Sequence, residues 1–138
     1  MIVAVKANMI SMLWPIVSKH IEMALEHANG EIDINKMKTQ LETGELIMLT
    51  ANRDNEIIAS IVIDKRRLQC GDNIIFVVTI GGKDMMEWGP ELLPVLEEIA
   101  KEQDCVAIYG AGRSGWERVM KNDGYEAVHT VYCKRLGE

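Results

Sequence analysis

Residues 105–136 read CVAIYGAGRSGWERVMKNDGYEAVHTVYCKRL, and this order of residue types leaves the chain little choice of local structure. A short apolar run enters a glycine-rich turn, which predicts a strand leading into a helix. Ser114 and Glu117 have the S-x-x-E spacing of a capping box, in which each side chain satisfies a backbone N–H at the helix start. The helix is therefore expected from about Gly115. Asp123-Gly124 follows its last apolar positions, where glycine can take the left-handed conformation that closes a helix. Tyr125 then leads into a closing strand that carries His129 and Cys133.

The preceding residues supply the partners for this unit. Ile2, Val3 and Val5 form a short apolar opening suited to an edge strand. From Met9 to Ala28, apolar residues recur every three to four positions and lay one stripe along a helix, with Pro15 expected near its first turn and Asn29-Gly30 at its end. Asp33 can cap a second helix whose Ile34, Met37 and Leu41 share a face, and Gly44 stops it. Between Glu45 and Ile80 the pattern becomes extended. The runs Leu46–Leu49, Ile57–Ile63 and Ile74–Ile80 are separated by polar turns at 52–55 and 69–72, which predicts a three-stranded antiparallel meander. Gly81-Gly82 ends the third run, and Met85, Trp88, Leu92, Leu96 and Ile99 return to helical spacing, with one of Pro90 and Pro94 expected to begin that helix and the other to kink it. A helix joining two strands makes a crossover, so the strands it joins should be parallel.

At 138 residues, 48% hydrophobic and 26% charged, the chain suits one domain spanning 1–138 with a substantial core. A net charge of −6 argues against general attraction to nucleic acid or to an anionic membrane. Lys65-Arg66-Arg67 is the one basic run, and a solvated strand end accounts for it. The three cysteines, Cys70, Cys105 and Cys133, have no CxxC spacing, so neither a disulfide framework nor a zinc site is indicated, and no metal is expected. Met1 to Ile21 carries Lys6, Asn8, Lys19 and His20, so it reads as neither signal peptide nor membrane span.

Trp116-Glu117-Arg118-Val119-Met120-Lys121-Asn122-Asp123-Gly124-Tyr125-Glu126, together with the element order, resembles the GNAT superfamily of acyl-CoA-dependent N-acyltransferases. Gly112-Arg113, Gly115-Trp116 and Glu87-Trp88 look most like the small GNAT-like proteins of tailed bacteriophages, including those near podovirus internal virion proteins. The resemblance implies an α/β, GNAT-like mixed sheet with an antiparallel meander, a central crossover helix and a C-terminal strand-helix-strand. It also implies an acyl-CoA whose pantetheine lies between splayed parallel strands and whose pyrophosphate meets backbone N–H groups before the central helix. A helix N-terminus suits that role, because its free N–H groups and dipole favour an anion.

In this sequence the corresponding loop is Ile80-Gly81-Gly82-Lys83, followed by Asp84-Met85. It departs from the family's Q/R-x-x-G-x-G/A pattern: no arginine or glutamine precedes the glycines, and Asp84 brings a negative charge that Lys83 offsets in part. The tyrosine that many members use as general acid falls at Met120, and a thioether has no proton to give. Tyr125, Tyr132 and His129 are the remaining catalytic candidates, and residues 73–80 carry no carboxylate for a base. The expected reading is a phage-encoded protein with an eroded acyl-CoA site. It would work in the host cytoplasm or the virion as an accessory, morphogenesis or internal virion protein that binds a phage or host protein. The alternative is an active acetyl-CoA-dependent N-acetyltransferase acting on an unknown amine.

Other signals read structurally. Gly110 to Gly115 spells GxGxxG, but dinucleotide binding needs a following parallel strand ending in an acidic residue about 20 positions on, and too little chain remains. His20, His27 and His129 do not cluster; His20 on the apolar stripe is expected to be a hydrogen-bonded core histidine, and His129 to border a cleft if its strand does. Cys105 and Cys133 are expected to be buried in strands, and Trp88, Trp116 and the methionines to fill the core, with an adaptable protein-binding face as the methionines' other use. Arg113, beside two glycines, is the polar residue suited to an anionic ligand or a neighbouring subunit.

Overall fold

The computed structural model describes residues 1–26, 30–111 and 120–137. The expected capping box, the body of the last helix, Arg113, Trp116, His27 and the end of the first helix at Asn29 lie outside them.

The elements run in the order β1 (Ile2–Val5), α1 (Ile10–Leu25), α2 (Ile34–Thr43), β2 (Leu46–Arg53), β3 (Glu56–Arg67), β4 (Asn73–Gly82), α3 (Met85–Glu102) and β5 (Ala107–Gly110). Short 3-10 turns at Ala7–Met9 and Lys121–Asp123 complete the described structure. One five-stranded sheet has the order β1-β2-β3-β4-β5, antiparallel except for the parallel pair β4 and β5. The meander and the crossover expected from the sequence are therefore both formed. α2 is bounded as its sequence dictates: the Asp33 carboxylate accepts the Asn35 N–H at 2.9 Å, and Gly44 takes φ 83° at the other end.

Strand alternation sends apolar side chains to both faces of the sheet, which need separate covers. On one face α3 buries Trp88, Leu92, Leu96 and Ala100 against Leu49, Ile61, Ile63 and Ile75. On the other, α1 and α2 bury Val17, Ile21, Met37 and Leu41 against Met48 and Val62.

Five expectations need correction. Neither Pro90 nor Pro94 begins α3, which starts at Met85 and runs through both. The prolines sit on its exposed side, while the buried Trp88, Leu92, Leu96 and Ala100 hold its inner face and offset the lost backbone bonds. Pro15 likewise lies beyond the first turn of α1, on the exposed face. Residues 125–137 form no strand: among the described residues they have no ladder, and His129, Tyr132 and Cys133 are exposed in irregular chain. Cys105 is half-buried and precedes β5 rather than lying within it. The methionines divide: Met37 and Met48 are buried, whereas Met1, Met9, Met12, Met23 and Met86 are exposed.

Candidate functional site

The site begins at an irregularity in β4. Val62 pairs with Thr79 and Ile63 with Val77, so Val78 is an extra residue bulged out of the β3–β4 ladder. β4 then outruns its parallel neighbour. Pairing with β5 covers Ile74 to Val77 and ends at Gly110, while β4 continues from Val78 to Gly82 without a partner on that side among the described residues. The ladder thus stops where β5 stops, and the edge of β4 from Val78 to Gly82 is unpaired on that side among the described residues.

Four residues at the end of β4 carry the expected pyrophosphate loop, and each is fixed by packing within the fold. Ile80 is half-buried against the α3 core. A Cβ on Gly81 would lie 1.8 Å from the His20 carbonyl oxygen, so α1 crosses directly over this residue. Gly82 has φ 134°, and a Cβ there would come within 2.4 Å of the Ala59 Cα and the Ile58 carbonyl oxygen. Lys83 is exposed, but its N–H donates to the Ile58 carbonyl at 3.1 Å and its carbonyl accepts from Trp88 Nε1 at 2.8 Å.

Asp84 stands at the N-cap of α3 in the left-handed conformation, φ 59°, and its carboxylate makes no cap hydrogen bond to the helix N–H groups. Arg53, at the end of β2, clasps this first turn: Nη2 donates to Asp84 Oδ2 at 2.7 Å and Nη1 to Glu87 Oε2 at 2.5 Å. The hydrogen bond to Asp84 raises the guanidinium pKa above its usual value, with the charges of Asp84, Glu87 and Asp54 adding to it. Acidic side chains at a helix N-terminus complement its dipole, so the chain already supplies the negative charge that this end attracts. Asp84 and Glu87 stand out in the sequence; Arg53 does not, because it lies in a polar turn 31 residues from Asp84. A topological signal does exist: in a meander the first and third strands run the same way, so Arg53 and Lys83 must leave the sheet at one end.

The catalytic candidates are not drawn to this loop. Tyr125 is half-buried with its hydroxyl enclosed and without a hydrogen-bond partner among the described residues. Burial raises its pKa, and Glu97 of α3 and Asp123 raise it further. His129 and Tyr132 are exposed and make no hydrogen bond to the loop. Under the loop, His20 Nδ1 and Ser60 Oγ are 2.8 Å apart, so His20 is the hydrogen-bonded histidine expected of its place on the stripe, and burial lowers its pKa. On the same face of the sheet, a groove of about 220 Å³ between α2 and β3 is bordered by Asp33, Lys36, Asp64 and Arg66. There Arg66 binds Asp64 at 3.0 Å and stacks over Phe76, which accounts for the middle of the basic run. Among the described residues no three His, Cys, Asp or Glu side chains gather where they could hold a metal, and no helix is long and apolar enough to cross a membrane.

No protein-family model matches the chain, and no curated protein matches it. Solved structures do. A probable acetyltransferase aligns over 100% of this chain and 99% of its own with a TM-score of 0.74 and 14% identity. A predicted acetyltransferase with acetyl-CoA from Clostridium acetobutylicum covers 98% of this chain and 95% of its own, at TM-score 0.69 and 16% identity. A GNAT family acetyltransferase from Staphylococcus aureus covers 99% of this chain and 98% of its own, at TM-score 0.65 and 15% identity. These likenesses establish a GNAT-like fold: a mixed α/β sheet covered by helices on both faces.

Proposed function

We propose that this chain is a GNAT-fold protein whose acyl-CoA site has been given over to internal contacts, and that it acts by binding another protein. The observation that carries this reading is the Arg53 clasp on Asp84 and Glu87. A pyrophosphate at the start of α3 would meet two carboxylates and would compete with them for one arginine. Met120 at the general-acid position and the absence of a carboxylate from β4 point the same way. The narrower resemblance to small phage proteins, of which Glu87-Trp88 lies in the described structure, makes a phage or host protein the partner and the host cytoplasm or virion the setting. The accessory, morphogenesis or internal virion roles all fit it.

The second reading, acetyl transfer from acetyl-CoA to an amine, has one observation in its favour. β4 outruns β5 beyond Val77, and among the described residues nothing pairs with that stretch of its edge, where a pantetheine arm would lie. Fold alone does not choose between the two, because chemistry resides in the site. Thermal unfolding in the presence of CoA and acetyl-CoA does: a ligand at 100 times its Kd stabilises by about 2.7 kcal/mol, a shift of several degrees. A flat response with co-purification of a phage structural protein supports binding without catalysis; a dose-dependent rise in Tm overturns it.

A further inference from the structure

α1 carries two apolar stripes, and the sheet uses only one of them. Ile10, Val17 and Ile21 are buried beneath the helix, whereas Met9 (38%), Met12 (64%), Ile16 (46%) and Met23 (44%) are exposed on its far side. With Lys19 and Glu26, also exposed, these residues fall at 9, 12, 16, 19, 23 and 26, the alternating three- and four-residue steps of a coiled-coil seam. A surface helix ordinarily turns polar residues outward, so a second apolar stripe calls for a cover. The charges of α1 say what that cover is. They oppose the helix dipole: the first turn holds no acid and the last no base, Lys6 precedes the N-terminus, and Glu22 and Glu26 stand at the C-terminus. Among the described residues none of these three has an ion-pair partner. Glu42 and Lys38 of α2 meet the helix at Ser11 and Trp14, on its α2 side and not on the stripe. An antiparallel copy of the same helix supplies the missing charge at both ends.

We propose that two copies of this chain pair through the outer stripe of α1, antiparallel about a two-fold axis. The seam spacing sets the register. It packs Met12 on the partner's Met23, lays Ile16 under the aliphatic stem of the partner's Lys19, and sets Met9 beside the partner's Glu26, within reach of Lys6. A parallel pair would instead set Lys6 on Lys6 and Glu26 on Glu26, with dipole along dipole. Unbranched methionine side chains adapt to such a contact, and a single lysine in the seam fixes its register at some cost in stability. The dimer is independent of whether acyl-CoA binds.

The test measures the mass of the full-length protein by light scattering after size exclusion and applies a zero-length carbodiimide cross-linker. Lys6 and Glu26 are about 30 Å apart along one helix, so a direct link between them joins two copies. The expected result is a dimer carrying that Lys6–Glu26 link. The double variant Met12→Glu, Met23→Glu changes only exposed side chains and should yield a monomer with unchanged far-ultraviolet dichroism. Lys6→Glu alone should weaken the dimer, and Lys6→Glu combined with Glu26→Lys should restore it. A wild-type monomer overturns the proposal. So does a dimer that the double methionine variant leaves intact, or one whose Lys6 links reach only acids outside α1.

Discussion

Arg53 and Asp84 meet at 2.7 Å across 31 residues of sequence, tying the end of β2 to the N-cap of α3. Both side chains are over a third exposed, so water screens the pair and its weight lies in what it excludes rather than in stability. The double variant Asp84→Asn, Glu87→Gln removes the competing carboxylates. We expect it to gain a CoA-dependent rise in Tm that the wild-type protein lacks, while its Tm without ligand changes little. A double variant that stays flat would show that these acids are not what bars a pyrophosphate.

The glycines of the same loop are set by contacts rather than by ligand. Gly82→Ala places a Cβ 2.4 Å from the Ala59 backbone at φ 134°, and Gly81→Ala drives one into the His20 carbonyl of α1. Each should cost about 2 kcal/mol or more, from backbone strain at the first and displacement of α1 at the second. Urea unfolding midpoints measure this directly; a loss near zero would mean that the loop has room to move.

How much of this could be read from the sequence depends on the range over which each feature is decided. The Asp33 cap, the Gly44 stop and the meander turns are settled within a few residues, and they fold as read. Gly81-Gly82 has the look of a ligand loop, but its necessity arises from α1 and β3, distant in sequence. Arg53 is silent for the same reason. The start of α3 shifted because the exposed prolines cost less than the buried Trp88, Leu92 and Leu96 contribute. The run ending at Cys133 alternates like a strand, but alternation alone does not make one, and the run forms no ladder with the described strands.

Thr79 is 6% exposed, and its hydroxyl has no hydrogen-bond partner among the described residues. A buried hydroxyl without a partner loses its hydration and gains nothing in return. Thr79→Val keeps the shape and the β-branching that suits a strand, so it should stabilise the fold by about 1 kcal/mol. Tyr125→Phe should likewise leave stability unchanged or raise it. In an active acetyltransferase relying on Tyr125 as acid, the same variant would lose turnover, so unfolding and acetyl-transfer assays on one protein separate the two roles.

His20 makes stability depend on pH. Burial lowers its pKa from 6.5, so the folded state holds the ring neutral while the unfolded chain takes up a proton more readily. The sign follows: the unfolded state binds more protons below about 6.5, and stability falls with pH from there until the lowered folded-state value has been passed. Above 6.5 the contribution is complete and flat. The neutral ring keeps its 2.8 Å hydrogen bond with Ser60, whose own side chain is buried beneath α1. His20→Gln retains a polar group but cannot titrate, so its urea midpoint should lose the part of the acid-side decline due to His20. Equal slopes for wild type and variant between about pH 7.5 and pH 5 would show that burial does not act on His20 in this way.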